Sequence, residues 1–217
     1  IYSPSDYYQK NRQKSQSARD IYPYPYPYPS PTLVVNTNED SDDGFCDTFL
    51  AGVTDCTLRE AINYANSNTG PWNITFAANY TITLGNQLPA VIRTIIINGN
   101  GAANTIIQAN SAPSTATYRV LQVSSGGNLT LDGVTVRHGN LPDNSGGGIY
   151  NQGILTITDS IISDNTALES GGVFNDLGQT LTITGTTFSN NSALTAPNTP
   201  GGSAGAIGNG GTLTISN

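Results

Sequence analysis

"GGGIYNQGILTITDSIISDN", residues 146–165, decides the fold. Leu155 and Ile157 alternate with Thr156 and Thr158, the period-two pattern of a strand with one face turned to a core. Gly, Asn, Ser and Asp punctuate the run on either side, as turn residues do. The same pattern returns in "GGNLTLDGVTVRHGN" (126–140), "GGVFNDLGQTLTITGTTFSNN" (171–191) and "GAIGNGGTLTISN" (205–217). Its Leu-Thr-apolar triplet begins at Leu129, Leu155, Leu181 and Leu213, with spacings of 26, 26 and 32. The loop "LTAPNTPGGS" accounts for the longer last step. A unit of this length, holding short strands and no helix, cannot bury its apolar residues alone, so repeats must stack.

Stacking in register puts like over like, with successive coils about 4.8 Å apart. Leu155 is then expected between Leu129 and Leu181, Ile157 between Leu131 and Ile183, and Ile162 between Val136 and Phe188. Thr130, Thr156, Thr182 and Thr214 face outward. Asn151, Asn175 and Asn209 align after an apolar pair or its equivalent and read as an Asn ladder at a tight turn. The predicted fold is all-β: a right-handed parallel β-helix, or solenoid, over 32–217, with one short capping helix and an extended N-terminal tail.

Earlier strands are predicted in "TLVVNT" (32–37), "NITFAA", "YTITLG", "IRTIIING", "NTIIQA" and "YRVLQVSS". Between the first two lies "CDTFLAGVTDCTLREAINYANSN". Thr57 and Glu60 make a T-x-x-E capping box there, and Leu58, Ile62 and Ala65 follow at helical spacing. This predicts a helix over 57–66 within a capping segment spanning 32–70.

Composition sets the setting. With 36% hydrophobic and 11% charged residues the chain is low in both, but its Leu, Ile and Val are clustered, as an all-β body requires. No apolar run approaches the length of a membrane span. A sequence pI near 4.3 and a net charge of −7 argue against nucleic acid as a partner. Cys46 and Cys56 stand ten positions apart without other sulfur ligands near them, which reads as a local disulfide rather than a metal site and points to an oxidising compartment. Asn-x-Ser/Thr sequons begin at Asn73, Asn79, Asn128 and Asn190.

The tail, residues 1–31, is a separate matter. Its first 20 residues carry Lys10, Arg12, Lys14 and Arg19 against Asp6 and Asp20, a net of +2, which leaves −9 for the rest of the chain. "YPYPYPYPSP" (22–31) follows. Proline at every second position removes alternate N–H groups and holds the residue before it extended. Tyr22, Tyr24, Tyr26 and Tyr28 therefore sit on a stiff strap of about 30 Å, at about 3.1 Å per residue. About six coils have a similar length, so the strap is one body long.

"VVNTNEDSDDGFCDTFLAGVTDCTLREAINYAN" (34–66), "IIINGNGAANTIIQAN" (95–110) and the Gly-Gly coils together resemble bacterial surface proteins that carry a CSLREA-type motif ahead of a right-handed parallel β-helix. The resemblance covers roughly 32–217 and is specific at Cys56 to Ile62, where Thr57 replaces the usual Ser and keeps its N-cap oxygen. It implies a secreted or surface-anchored protein, and it supplies no catalytic residues.

Parallel β-helices include polysaccharide lyases and hydrolases, and Asp132, Asp143, Asp159, Asp164 and Asp176 are the candidate paired carboxylates. Asp132 and Asp159 are offset by one position and fall on opposite faces, and the others sit at turns. Arg137 and His138, with Asp164 one coil above, come nearest to a lyase set, and His138 reads as a solvated turn residue. The acidic turn "NTNEDSDDG" offers Asn38, Asp40 and Asp42 as calcium candidates, but the EF-hand spacing fails at Gly44. The expected function is thus a non-enzymatic, secreted structural subunit without cofactor or metal. It assembles into an extracellular or cell-surface filament through Tyr22, Tyr24, Tyr26, Tyr28, Lys10, Arg12 and Lys14 and through β-helix stacking, "GTLTISN" being expected to leave an open end. Its partners are other copies of itself and a surface polysaccharide. A monomeric adhesin or carbohydrate-binding module is the first alternative, and a polysaccharide lyase or hydrolase the second.

Overall fold

A computed structural model describes residues 30–44, 46, 55–194 and 204–217. The described residues hold nineteen strands, numbered along the chain, and one α-helix, and every strand pairing is parallel. Sheet A runs in the order β1 (Thr32–Val35), β2 (Trp72–Phe76), β4 (Thr94–Asn98), β7 (Asn128–Asp132), β11 (Ile154–Thr158), β15 (Thr180–Thr184) and β19 (Thr212–Ser216). Sheet B holds β3 (Tyr80–Thr83), β5 (Thr105–Gln108), β8 (Thr135–Arg137), β12 (Ile161–Ser163) and β16 (Thr187–Ser189). Sheet D holds β9 (Asn140–Ser145), β13 (Thr166–Glu169) and β17 (Ser192–Ala193). Sheet C holds β6 (Leu121–Val123), β10 (Ile149–Asn151), β14 (Val173–Asn175) and β18 (Ile207–Asn209). From β7 onward the chain visits A, B, D and C in turn and returns to A one level up, the path of an all-β parallel solenoid.

The register is the one the triplets predict. Leu155 pairs with Leu129 below and Leu181 above, Ile157 with Leu131 and Ile183, and Ile162 with Val136 and Phe188. Leu129, Leu155 and Leu181 are fully buried, and each such side chain contributes about 1.5–3 kcal/mol of hydrophobic stabilisation. At the far level, Leu213 packs against this core while Ile215 is 61% exposed.

Corners repeat as strictly as strands. Gly133, Asp159 and Gly185 follow successive sheet A strands, and all have positive φ, at 61°, 44° and 55°. His138, Asp164 and Asn190 follow successive sheet B strands at 62°, 55° and 54°. Asn and Asp tolerate this left-handed conformation better than other non-glycine residues, and the corner recurs whether or not glycine occupies it.

At the β1 end, α1 (Leu58–Ser67) closes the core. Its Leu58, Ala61, Ile62 and Ala65 have no exposed surface and belong to the same cluster as the coil leucines. No helix among the described residues is long and apolar enough to cross a membrane.

Candidate functional site

The tail residues singled out above, Lys10, Arg12, Lys14, Tyr22, Tyr24, Tyr26 and Tyr28, lie outside the described residues. Only the junction is described: the Pro31 carbonyl accepts the Asn73 N–H at 2.9 Å, and the Ser30 carbonyl accepts the Asn73 side chain at 3.4 Å. The strap thus joins the body at the first two levels of sheet A.

The cap explains why its short motif has the residues it has. Cys46 and Cys56 form a disulfide. Thr57 Oγ1 accepts the Glu60 N–H at 3.1 Å, and Glu60 Oε2 accepts the Thr57 N–H at 2.8 Å, closing the capping box. Glu60 is 2% exposed, and its other oxygen accepts the Asp43 N–H at 3.0 Å, so one carboxylate fastens the acidic turn to the helix start. Thr57 Oγ1 also donates to the Ser41 carbonyl at 2.8 Å. Arg59 makes a two-pronged contact with Asp40, Nε to Oδ1 at 3.1 Å and Nη2 to Oδ2 at 2.8 Å, and donates onward to the Gln87 and Asn86 carbonyls.

The calcium candidates are therefore engaged elsewhere: Asp40 by Arg59 and the Gly85 N–H, Asp42 by the Asn63 side chain at 2.8 Å. Asn38 stays on the exposed turn. Among the described residues no three His, Cys, Asp or Glu side chains come together as metal ligands. Beside the turn, Asp42, Gly44, Glu60, Asn63, Tyr64 and Ser67 line a cavity of about 300 Å³. Tyr64 meets Trp72 edge to face at 5.1 Å there.

The coil acids and bases named above occupy strand ends, corners and an exposed edge. Asp132 ends β7, Asp143 is exposed on β9, and Asp159 occupies a left-handed corner. Asp164 accepts the Asn190 side chain at 3.1 Å, and Arg137 grips Gln108 Oε1 through two nitrogens at 2.9 and 2.7 Å. His138 corrects the sequence reading: it is buried, 8% exposed, with Nδ1 2.7 Å from the Asn110 carbonyl. The coil below covers the corner, and the turn faces that coil rather than solvent.

Asn151, Asn175 and Asn209 stand in register and connect by side-chain hydrogen bonds of 2.6 and 2.7 Å. Each of the first two also braces the turn from sheet C into sheet A, Asn151 through the Gly153 N–H and the Thr180 carbonyl, Asn175 through the Gln179 and Thr212 carbonyls. A second ladder, unread in the sequence, joins Asn165 to Asn191 at 3.0 Å between sheets B and D. Its signal was present: both residues precede the sheet D strand by one position.

Among the described residues, a run of linked polar side chains covers the outer face of sheet C. Ile149 and Asn151 are buried and Tyr150 between them is half-buried, so Tyr150 points outward, as do Gln122 below it and Phe174 above. The Tyr150 and Phe174 rings lie 5.7 Å apart. A chain of amides climbs the face: Gln87 donates to Gln122, Gln122 to Gln152, and Gln152 to Asp176, at 3.2 to 3.3 Å. Tyr150 donates its hydroxyl to Asp176 at 2.7 Å. That bond holds the Asp176 carboxyl below its usual range, while burial and the same bond push the Tyr150 phenol up.

Against this ring lies Arg119, its guanidinium carbon 4.6 Å from the Tyr150 centroid. Arg119 is 6% exposed, its Nε has no hydrogen-bond partner, and burial lowers its pKa. No family model, curated protein or solved structure matches the chain.

Proposed function

We propose that the chain is a secreted structural subunit, a right-handed parallel β-helix of the kind that follows a CSLREA-type motif. It polymerises into an extracellular filament by laying its basic Tyr/Pro tail along a neighbouring copy and stacking end to end. One observation carries the structural reading: side chains that could do chemistry serve as fasteners. Glu60, Asp40 and Arg59 pin the cap, Asp164 and Arg137 link adjacent coils, and His138 ties a corner to the coil beneath. A disulfide at the cap suits an oxidising extracellular setting. The tail supplies the polymerising element, being cationic where the body is anionic and rich in rings of low conformational entropy.

Electron microscopy of the full chain tests this. Wild type should form filaments, and replacing Tyr22, Tyr24, Tyr26 and Tyr28 with Ser should abolish them while leaving the circular dichroism unchanged. Filaments of the same form from the Ser variant would refute the role of the strap. The aromatic and amide strip on sheet C favours a second reading, an adhesin for surface polysaccharide. It predicts monomers at all concentrations and retention on a glycan column.

A further inference from the structure

We propose that the outer face of sheet C is the docking site for the Tyr/Pro strap, residues 22–31, of a second copy, with Arg119 as its principal donor. The inference rests on the polymer reading and names the surface that reading requires.

The strap defines what its receptor must offer. Each proline lacks an N–H but keeps its carbonyl, so the strap presents acceptors in excess of donors, and in extended or polyproline geometry those carbonyls stand free. Such segments are recognised by flat aromatic surfaces that seat the rings, together with side-chain donors that reach the carbonyls.

Sheet C presents both. Tyr150 and Phe174 provide neighbouring outward rings. Arg119 carries a buried donor without an acceptor, an arrangement a native protein corrects by supplying one. Gln122 and Gln152 each use one amide N–H within the chain of amides, and a carboxamide has two. The strap itself is uncharged, so its carbonyls can meet a guanidinium without a competing cation. The basic residues ahead of it are drawn to a body of net −9.

The strap belongs to another copy because of where it is tied. Its end is stitched to Asn73 on β2, whereas Arg119 precedes β6, Tyr150 lies on β10 and Phe174 on β14, progressively further along the stack. A strap stiffened by alternate prolines and tied at that first level suits the sheet C face of a neighbouring copy better than one further along its own stack.

The test uses the full chain with Phe174→p-benzoylphenylalanine, expressed separately with and without ¹⁵N, mixed, assembled and photolysed. Mass spectrometry should find residue 174 joined to a peptide containing 22–31, in pairs of mixed isotope. Gln122→Ala, an outward change, and Arg119→Lys, which keeps the charge with fewer donors, should each lower that yield, the latter by about tenfold, as loss of one charge-assisted hydrogen bond does. Single-isotope pairs with no mixed ones would place the strap on its own body and overturn the assignment. Filaments without any link from 174 to the strap would overturn the docking face and leave the polymer reading standing. Absence of both filaments and links would overturn the two together.

Discussion

The Asn151 side-chain amide donates to the Asn175 side-chain oxygen across 2.6 Å, one coil to the next, at positions where neither residue has exposed surface. A buried amide is tolerated only when its donors and acceptors are satisfied, and here the neighbouring rungs and the turn backbone satisfy them. Asn175→Ala removes one rung and leaves the Asn151 N–H without its rung acceptor. Denaturant unfolding should show a loss of about 1–3 kcal/mol. A change below about 0.5 kcal/mol would mean that water replaces the rung.

Leu155 sits between Leu129 and Leu181, with all three fully buried. Leu155→Ala should cost about 2–5 kcal/mol, because rigid coils on both sides hold the cavity open. Thr156→Ala, one residue away on the outer face, serves as the control and should stay within about 0.5 kcal/mol.

Thr57 tests the cap. Its hydroxyl receives the Glu60 N–H and reaches the Ser41 carbonyl, two bonds that serine can also make. Thermal unfolding should find Thr57→Ser close to wild type and Thr57→Ala destabilised by about 0.5–2 kcal/mol.

Much of this was legible in the sequence, and what was legible shares a cause. Leu129, Leu155 and Leu181 gave the register because a period-two pattern repeated at fixed spacing has one alignment that buries every leucine. Thr57 and Glu60 gave the helix start because a capping box is local. His138 and Arg119 were opaque for the opposite reason: their burial depends on which way a corner faces and on residues one coil away. The Asp40–Arg59 pair spans 19 positions with no periodicity to announce it.

Acid should loosen the sheet C face in a particular range. The Tyr150 hydrogen bond lowers the Asp176 pKa from its ordinary 3.8. The unfolded chain therefore binds the proton first, and the stabilisation is complete above 3.8 and lost as pH falls through the lower folded value. Thermal midpoints measured from about pH 6 down to about pH 2 should fall more steeply for wild type than for Asp176→Asn, which has no carboxylate to titrate. Parallel curves would show that the bond contributes nothing to folding.

The tail's charges and rings should separate by salt. Exposed ion pairs contribute about 0–1 kcal/mol each and are screened, whereas ring burial is not. Replacing Lys10, Arg12 and Lys14 with Gln should raise the critical concentration for assembly, read by sedimentation, more at low salt than at high. An equal effect at both would assign those residues a role other than charge.

The proposed polymer would bear load through its tail, and there the Cys46–Cys56 disulfide has a mechanical meaning. A pull on the strap enters the body at β1, whose parallel pairing with β2 is the first set of bonds to resist. Should β1 peel away, the tension runs on to Cys46 and crosses the sulfur bridge to Cys56, immediately before the N-cap of α1. The segment between the two cysteines lies off that route and carries no force, so the slack it could have released never lengthens the tether.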